Sequence, residues 1–223
     1  MNNPKKHEST AYSYPDTNDS ITQKRISQHG EEYARYWTHS EDCLLKEVLK
    51  APCFPSKDYT LLDVGCGEGG DLTLMLCNRC KHVTALDCDP KVVSGLQKLL
   101  KQKNIQNVSP KVADMVKTGL PDNFADLVLM SQVLHHATDP RLAIKEAVRI
   151  LKSGGTLALL DLAQHKEESF RTTHGHIWLG FDRSQLEFFV KEFNCEVISS
   201  EIIPSENEVD KKLPVICMIL KKK

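Results

Sequence analysis

Four glycines stand within six residues at the centre of Leu61 to Leu72, LLDVGCGEGGDL, and this bend narrows the fold more than any other feature. An apolar run ends on Asp63, and the chain then enters a turn in which glycine permits sharp bending and close backbone approach to a ligand. Gly65, Gly67 and Gly70 satisfy the G-x-G-x-x-G spacing of nucleotide-binding sheets. A short glycine pattern gains meaning only from its setting. That setting requires a strand before it, a helix after it, and a carboxylate near the end of the next strand.

The rest of the chain supplies this setting. Tyr59 to Val64 reads as a strand and Asp71 to Cys77 as the helix leaving the glycines. His82 to Asp87 is a second strand, and its terminal Asp87 lies about 20 residues after the glycines, where a carboxylate can accept both ribose hydroxyls. Pro90 suits the first turn of a helix striped by Val92, Val93, Leu96, Leu99 and Leu100. Val108 to Ala113 and Phe124 to Met130 are the third and fourth strands, the latter apolar throughout as a doubly covered parallel strand should be. Pro140 to Leu151 is expected to be a helix carrying Leu142, Ala143, Ala147, Val148 and Ile150, closed by Gly154 and Gly155 ahead of a fifth strand at Thr156 to Leu162. Asp182 with Gln185 makes a capping box for a helix striped by Leu186, Phe189, Val190 and Phe193. Strands at Glu196 to Ile203 and Pro214 to Leu220 complete an α/β pattern: one parallel sheet with helices on both faces.

Composition removes several function classes. A chain of 223 residues with net charge -1 offers no basic footprint for nucleic acid or an anionic membrane. No apolar run reaches the roughly 20 residues of a bilayer span, and the polar N-terminus does not resemble a signal peptide, so the expected compartment is the cytoplasm. The 8 cysteines then read as free thiols rather than a disulfide framework. Cys77 and Cys80 form a single C-x-x-C pair with no second pair to complete a zinc site, and no metal is expected. Lys221 to Lys223 read as a solvated tail. Nothing in the sequence sets an oligomeric state.

Charge also chooses between ligands. A pyrophosphate seeks uncompensated amides at a helix N-terminus, whereas Asp63, Glu68 and Asp71 crowd this bend with carboxylates. Such a rim favours a cationic sulfonium nucleoside over NAD. The motif Asp63-Val64-Gly65-Cys66-Gly67-Glu68-Gly69 resembles the signature turn of class I S-adenosylmethionine-dependent methyltransferases. The likeness continues through Ala85-Leu86-Asp87-Cys88-Asp89-Pro90, Val112-Ala113-Asp114, Leu120-Pro121 before Phe124-Ala125-Asp126-Leu127-Val128, and Leu151-Lys152-Ser153-Gly154-Gly155. It spans about Leu61 to Leu162 and is nearest the branch of ubiquinone and menaquinone biosynthesis enzymes and related small-molecule methyltransferases.

The resemblance implies a single Rossmann-like, doubly wound sheet of seven strands in the order 3-2-1-4-5-7-6, mostly parallel with an antiparallel last strand. It implies S-adenosyl-L-methionine as cofactor, with S-adenosyl-L-homocysteine as product. Asp63, Gly65 and Gly67 would face the methionine moiety and Asp87 the ribose. Asp114 with the amide of Met115 would meet adenine, Gln132 would line the pocket, and Cys66 and Cys88 complete the cofactor-binding set. The domain would run over 57–223, behind a flexible lead-in at 1–20 and a helical cap segment at 21–56.

On the substrate side, His135 and His136 follow the fourth strand and are the catalytic candidates. Either takes a proton in the crevice or caps and packs against the next helix. His174, His176 and Trp178 share a loop that serves as a substrate wall or as a plug over the core. Tyr33, Tyr36 and Trp37 precede the sheet, and Tyr36 and Trp37 are also substrate-side candidates. The expected partner is a small-molecule methyl acceptor. An NAD(P)-dependent oxidoreductase is the competing enzyme reading, opposed by the acidic rim. A non-catalytic S-adenosylmethionine-binding protein is the third, since binding and turnover draw on nearly the same residues.

Overall fold

The computed structural model describes residues 56–67, 70–204 and 213–223. The lead-in, the cap segment with Tyr33, Tyr36 and Trp37, and the rim residue Glu68 lie outside the described residues.

Seven strands form one sheet in the order β3-β2-β1-β4-β5-β7-β6. They are β1 (Thr60–Val64), β2 (His82–Asp87), β3 (Val108–Val112), β4 (Ala125–Ser131), β5 (Leu151–Leu162), β6 (Cys195–Ile203) and β7 (Val215–Lys222). β1 lies between β2 and β4, parallel to both, with Leu61 opposite Val83 and Leu127. β7 inserts antiparallel between β5 and β6. The chain therefore winds outward in two directions from β1 and β4, and their carboxyl ends frame the crevice where such sheets bind ligands.

Alternation along the strands sorts their side chains onto two faces. Leu61, Val83, Leu127 and Leu129 pack under α1 (Asp71–Leu76) and α2 (Pro90–Gln102), whose Leu72, Leu76, Leu96 and Leu100 are buried there. Leu62, Val64, Val128 and Met130 pack under α3 (Pro140–Ile150) and α5 (Arg183–Val190). A short helix, α4 (Ser169–Thr173), precedes α5. Two Asp-Pro pairs start the long helices. Asp89 accepts from the Lys91 amide at 2.7 Å and Asp139 from the Arg141 amide at 2.9 Å, with proline in the first turn each time. Asp182 and Gln185 form the expected reciprocal capping box on α5.

Four details depart from the sequence reading. Leu142 is 50% exposed, and Ile144 takes its place on the buried stripe of α3. Gly154 and Gly155 do not close α3, because the chain passes directly from Ile150 into β5 and carries both glycines as an irregularity. The β4–β5 register accordingly jumps from Ala125↔Leu151 to Leu127↔Thr156. A Cβ on Gly155 would stand 2.9 Å from the Lys152 carbonyl, so this bulge needs glycine for its close approach. Lys221 and Lys222 belong to β7, and the Lys222 ammonium donates to the Leu151 carbonyl at 2.6 Å instead of trailing in solvent. α4 is the fourth departure, for the sequence shows no periodicity there. Among the described residues no helix is long and apolar enough to cross a membrane.

Candidate active site

The glycine bend is stitched to the end of β2 by backbone. The amides of Gly65 and Cys66 both donate to the Leu86 carbonyl, at 2.7 and 2.9 Å. The Gly67 amide donates to Asp87 Oδ2 at 3.1 Å, while Asp87 Oδ1 accepts from the Asp89 amide at 2.9 Å. The Ala113 amide donates to the Asp87 carbonyl at 3.0 Å. Asp87 thus gathers the first three motifs at one point. Gly65 has φ +73°, and a Cβ there would meet Val133 Cγ2 at 2.6 Å, so conformation and packing both select glycine.

Asp63 sits beneath the bend, 2% exposed, and accepts from the Thr73 hydroxyl of α1 at 2.6 Å. Burial raises its pKa to about 6; Asp71 and Asp87 add to this, and the Thr73 hydrogen bonds oppose it. Cys66 is buried beside it, and desolvation with Asp63 and Asp87 drives that thiol far above its ordinary range. Cys88 is exposed, and its thiol is raised by partial burial and by Asp87. Asp114 is exposed and holds the Val116 amide at 2.9 Å, next to half-buried Met115. Gln132 follows β4 in a left-handed conformation, φ 54°, with its amide donating to the Leu160 carbonyl at 2.8 Å.

Across the crevice a different chemistry gathers. His135 and His136 lie on a single 3-10 turn, Leu134–His136, after β4. His135 is 3% exposed, and its Nδ1 stands 2.7 Å from Oδ1 of fully buried Asp161 on β5. Asp161 Oδ2 also accepts from the Leu134 amide at 2.9 Å, so one carboxylate fixes both the turn and the ring it carries. The loop after α4 closes over them. The amides of Ile177 and Trp178 both donate to the His135 carbonyl at 3.0 Å. The His176 ring lies 4.0 Å from that of His135 and 5.2 Å from that of His136. His176 is 5% exposed, and neither ring nitrogen has a hydrogen-bond partner. Burial and the surrounding His135, His136, His174 and His165 push its pKa down to about 3. His136 is exposed at one edge, with Nδ1 3.3 Å from the Gly175 carbonyl, and crowding and His135 lower its pKa as well.

The remaining candidates hold this loop. Phe170 of α4 stacks on His174 at 4.9 Å and meets His176 edge-on at 5.2 Å. Trp178 packs on Phe181 and Phe189, and its indole N–H donates to the Ala137 carbonyl at 2.9 Å. Cys77 and Cys80 sit apart from both halves, buried at the end of α1 with raised thiol pKa values. Thr73 and Asp161 escaped the sequence reading. Asp161 did leave a trace there, as the lone acid inside the otherwise apolar run TLALLDL.

Residues 62–159 match the family model described as a methyltransferase domain. An uncharacterized methyltransferase of Mycobacterium tuberculosis is 35% identical over 114 residues, which cover 51% of this chain and 56% of that protein. The demethylmenaquinone methyltransferase of Listeria monocytogenes is 30% identical over 111 residues, 48% of this chain and 46% of the relative. The chain spans about half the length of the curated relatives it matches. Among solved structures, the YcgJ protein of Bacillus subtilis superposes with a TM-score of 0.65 at 17% identity, covering 83% of this chain and 98% of that one. The span that matches the methyltransferase-domain model takes in the glycine bend and the carboxyl ends of β1, β2 and β4.

Proposed function

We propose that this chain moves the methyl group of S-adenosylmethionine onto a small molecule by in-line displacement. The observation that carries the cofactor half is the concentration of carboxylates at the glycine bend: Asp63 below it, Asp71 at the start of α1, and Asp87 bonded to the Gly67 amide. This donor set suits a ligand bearing a sulfonium and an ammonium, and it repels a diphosphate. When bound, S-adenosylmethionine supplies a methyl group activated on a cationic sulfur.

In this reading Asp63, Gly65, Cys66 and Gly67 surround the methionine part, Asp87 and Cys88 the ribose, Asp114 and Met115 the adenine, and Gln132 lines the pocket. The protein's task in such a displacement is alignment and exclusion of water. Gln132 and the turn that follows it lead from the cofactor residues to the acceptor side, where His136, His174, His176 and Trp178 form the wall. His135 is committed to Asp161, so His136 is the better placed of the pair to take an acceptor's proton.

Thermal stability measured with S-adenosylhomocysteine and with NADH tests the reading. The homocysteine adduct at a hundredfold over its Kd should stabilise the chain by about 2.7 kcal/mol, and Asp87→Ala should remove that gain. Stabilisation by NADH alone sinks the proposal, and an unchanged gain in Asp87→Ala removes Asp87 from the ribose.

A further inference from the structure

The histidines across the crevice form a group that methyl transfer does not require. One ligand-capable nitrogen from each of His135, His136 and His176 lies within 4.8 Å of the others. The three come from two segments 40 residues apart in the chain, brought together by the loop that closes on the 3-10 turn. We propose that His135, His136 and His176 form a binding site for a divalent transition metal of the zinc type.

Two observations carry this. The first is His176, where a buried imidazole has two nitrogens and no hydrogen bond to either. Native proteins seldom leave such atoms without a partner, because each costs about 1–3 kcal/mol. A metal ion uses one of them directly. The second is His135, whose Nδ1 is engaged by Asp161 at 2.7 Å, leaving Nε2 for an ion. Carboxylate–histidine–metal relays are the usual outer shell of zinc sites, where the carboxylate fixes the ring and raises its basicity.

Geometry sets what must move. Zinc bound tetrahedrally at about 2.0–2.1 Å from each nitrogen places ligand atoms about 3.3 Å apart. Drawing the three nitrogens in from separations of at most 4.8 Å needs shifts of at most about 1 Å. Three imidazoles are the ligand count of an open zinc site, with the fourth position left to water or another small ligand. His136 is the exposed member, so that ligand reaches the ion past it. With the ion in place, His136 is a ligand and no longer a free proton acceptor. The alternative that these rings merely stack accounts for their contacts and leaves the two bare nitrogens of His176 unexplained.

The test uses the full chain, stripped with a chelator and titrated with Zn2+ by calorimetry and with Co2+ by visible absorption. One Zn2+ per chain at micromolar affinity or tighter is expected, together with the intense bands of tetrahedral Co2+. His136→Gln and His176→Gln should each weaken Zn2+ binding by ~100-fold or more, and Asp161→Asn by ~10–100-fold. Cys77→Ser with Cys80→Ser should leave it unchanged. His136 is exposed, so His136→Gln keeps the test decisive even if the His176 variant fails to fold. No Zn2+ binding below millimolar, or equal affinity in His136→Gln and the parent chain, overturns the site. Stabilisation by S-adenosylhomocysteine in the same chain reads the cofactor half separately, so either proposal can fail without the other.

Discussion

The two halves of the crevice are built by opposite means. Around the glycine bend the backbone does the holding: three amides, those of Gly65, Cys66 and Gly67, tie one short stretch to the end of the next strand. Around the histidines side chains do it, with one buried carboxylate on β5 orienting a ring on the turn after β4, and a loop from beyond β5 folded over both. A backbone-built site is compact in sequence and tolerates exchange of many side chains. The side-chain-built site depends on distant residues meeting, and any one of them can undo it. The halves also differ in their buried ionisable groups: an acid whose charge is resisted faces a base whose charge is resisted.

The largest expected effect tests whether the histidine loop needs its own backbone geometry. Gly180 has φ +73°, and a Cβ there would lie 2.3 Å from the Ala163 carbonyl oxygen, which cannot swing aside. Gly180→Ala combines a left-handed alanine with overpacking, for a loss of about 4 kcal/mol. Gly175, with φ +69° and open space around its Cβ, should lose only about 1 kcal/mol in Gly175→Ala. Urea denaturation of both variants checks the order; equal losses would mean that loop geometry, not contact, sets the cost.

Next comes the acid of the glycine half. Asp63 has a folded pKa of about 6 against 3.8 for the free group, so the folded chain holds its proton more tightly. Stability is therefore highest below pH 3.8 in this respect, falls as pH rises toward about 6, and stays lowered above that, by about 3 kcal/mol. Asp63→Asn should abolish that decline and make the ligand-free chain more stable at neutral pH, while weakening its response to S-adenosylhomocysteine. A stability-versus-pH series on both proteins decides it. If the variant is less stable at neutral pH, the Thr73 hydrogen bond outweighs the buried charge.

The base of the other half should show the reverse slope. His176 has a folded pKa of about 3 against 6.5, so the unfolded chain takes the proton first. Stability is full above pH 6.5 and declines as pH falls toward 3, with about 2 kcal/mol already lost at pH 5. In chelator-treated protein His176→Gln should flatten this limb of the profile. The comparison sharpens if Asp63→Asn and His176→Gln tilt the profile in opposite directions, and breaks if they tilt it alike.

This contrast also explains what could be read from the sequence. The glycine bend, Asp87 and the helix starts at Pro90 and Pro140 were legible because each is a local arrangement whose cause lies within a few residues. The capping box of Asp182 and Gln185 was legible for the same reason. Gly154 and Gly155 misled because a glycine pair after a helix reads as a stop, whereas here a register jump between β4 and β5 absorbs them. The histidine group stayed hidden because nothing in the spacing of His135, His136 and His176 shows that Asp161 and the loop amides draw them together. α4 was invisible because no buried stripe marks it.

The smallest effect asks whether the halves are independent. The Trp178 indole N–H donates to the Ala137 carbonyl at 2.9 Å and its ring packs on Phe181, so Trp178 anchors the loop over the histidines. Trp178→Phe keeps most of the packing and removes the donor, for a cost of about 1 kcal/mol. Amide exchange at Ile177 and Trp178, whose N–H groups rest on the His135 carbonyl, should quicken. Stabilisation by S-adenosylhomocysteine should be unchanged, because Asp63, Gly67 and Asp87 owe their positions to α1 and β2 and not to this loop. A smaller ligand response in Trp178→Phe would show instead that the loop reaches across the crevice, and the two halves would have to be treated as one.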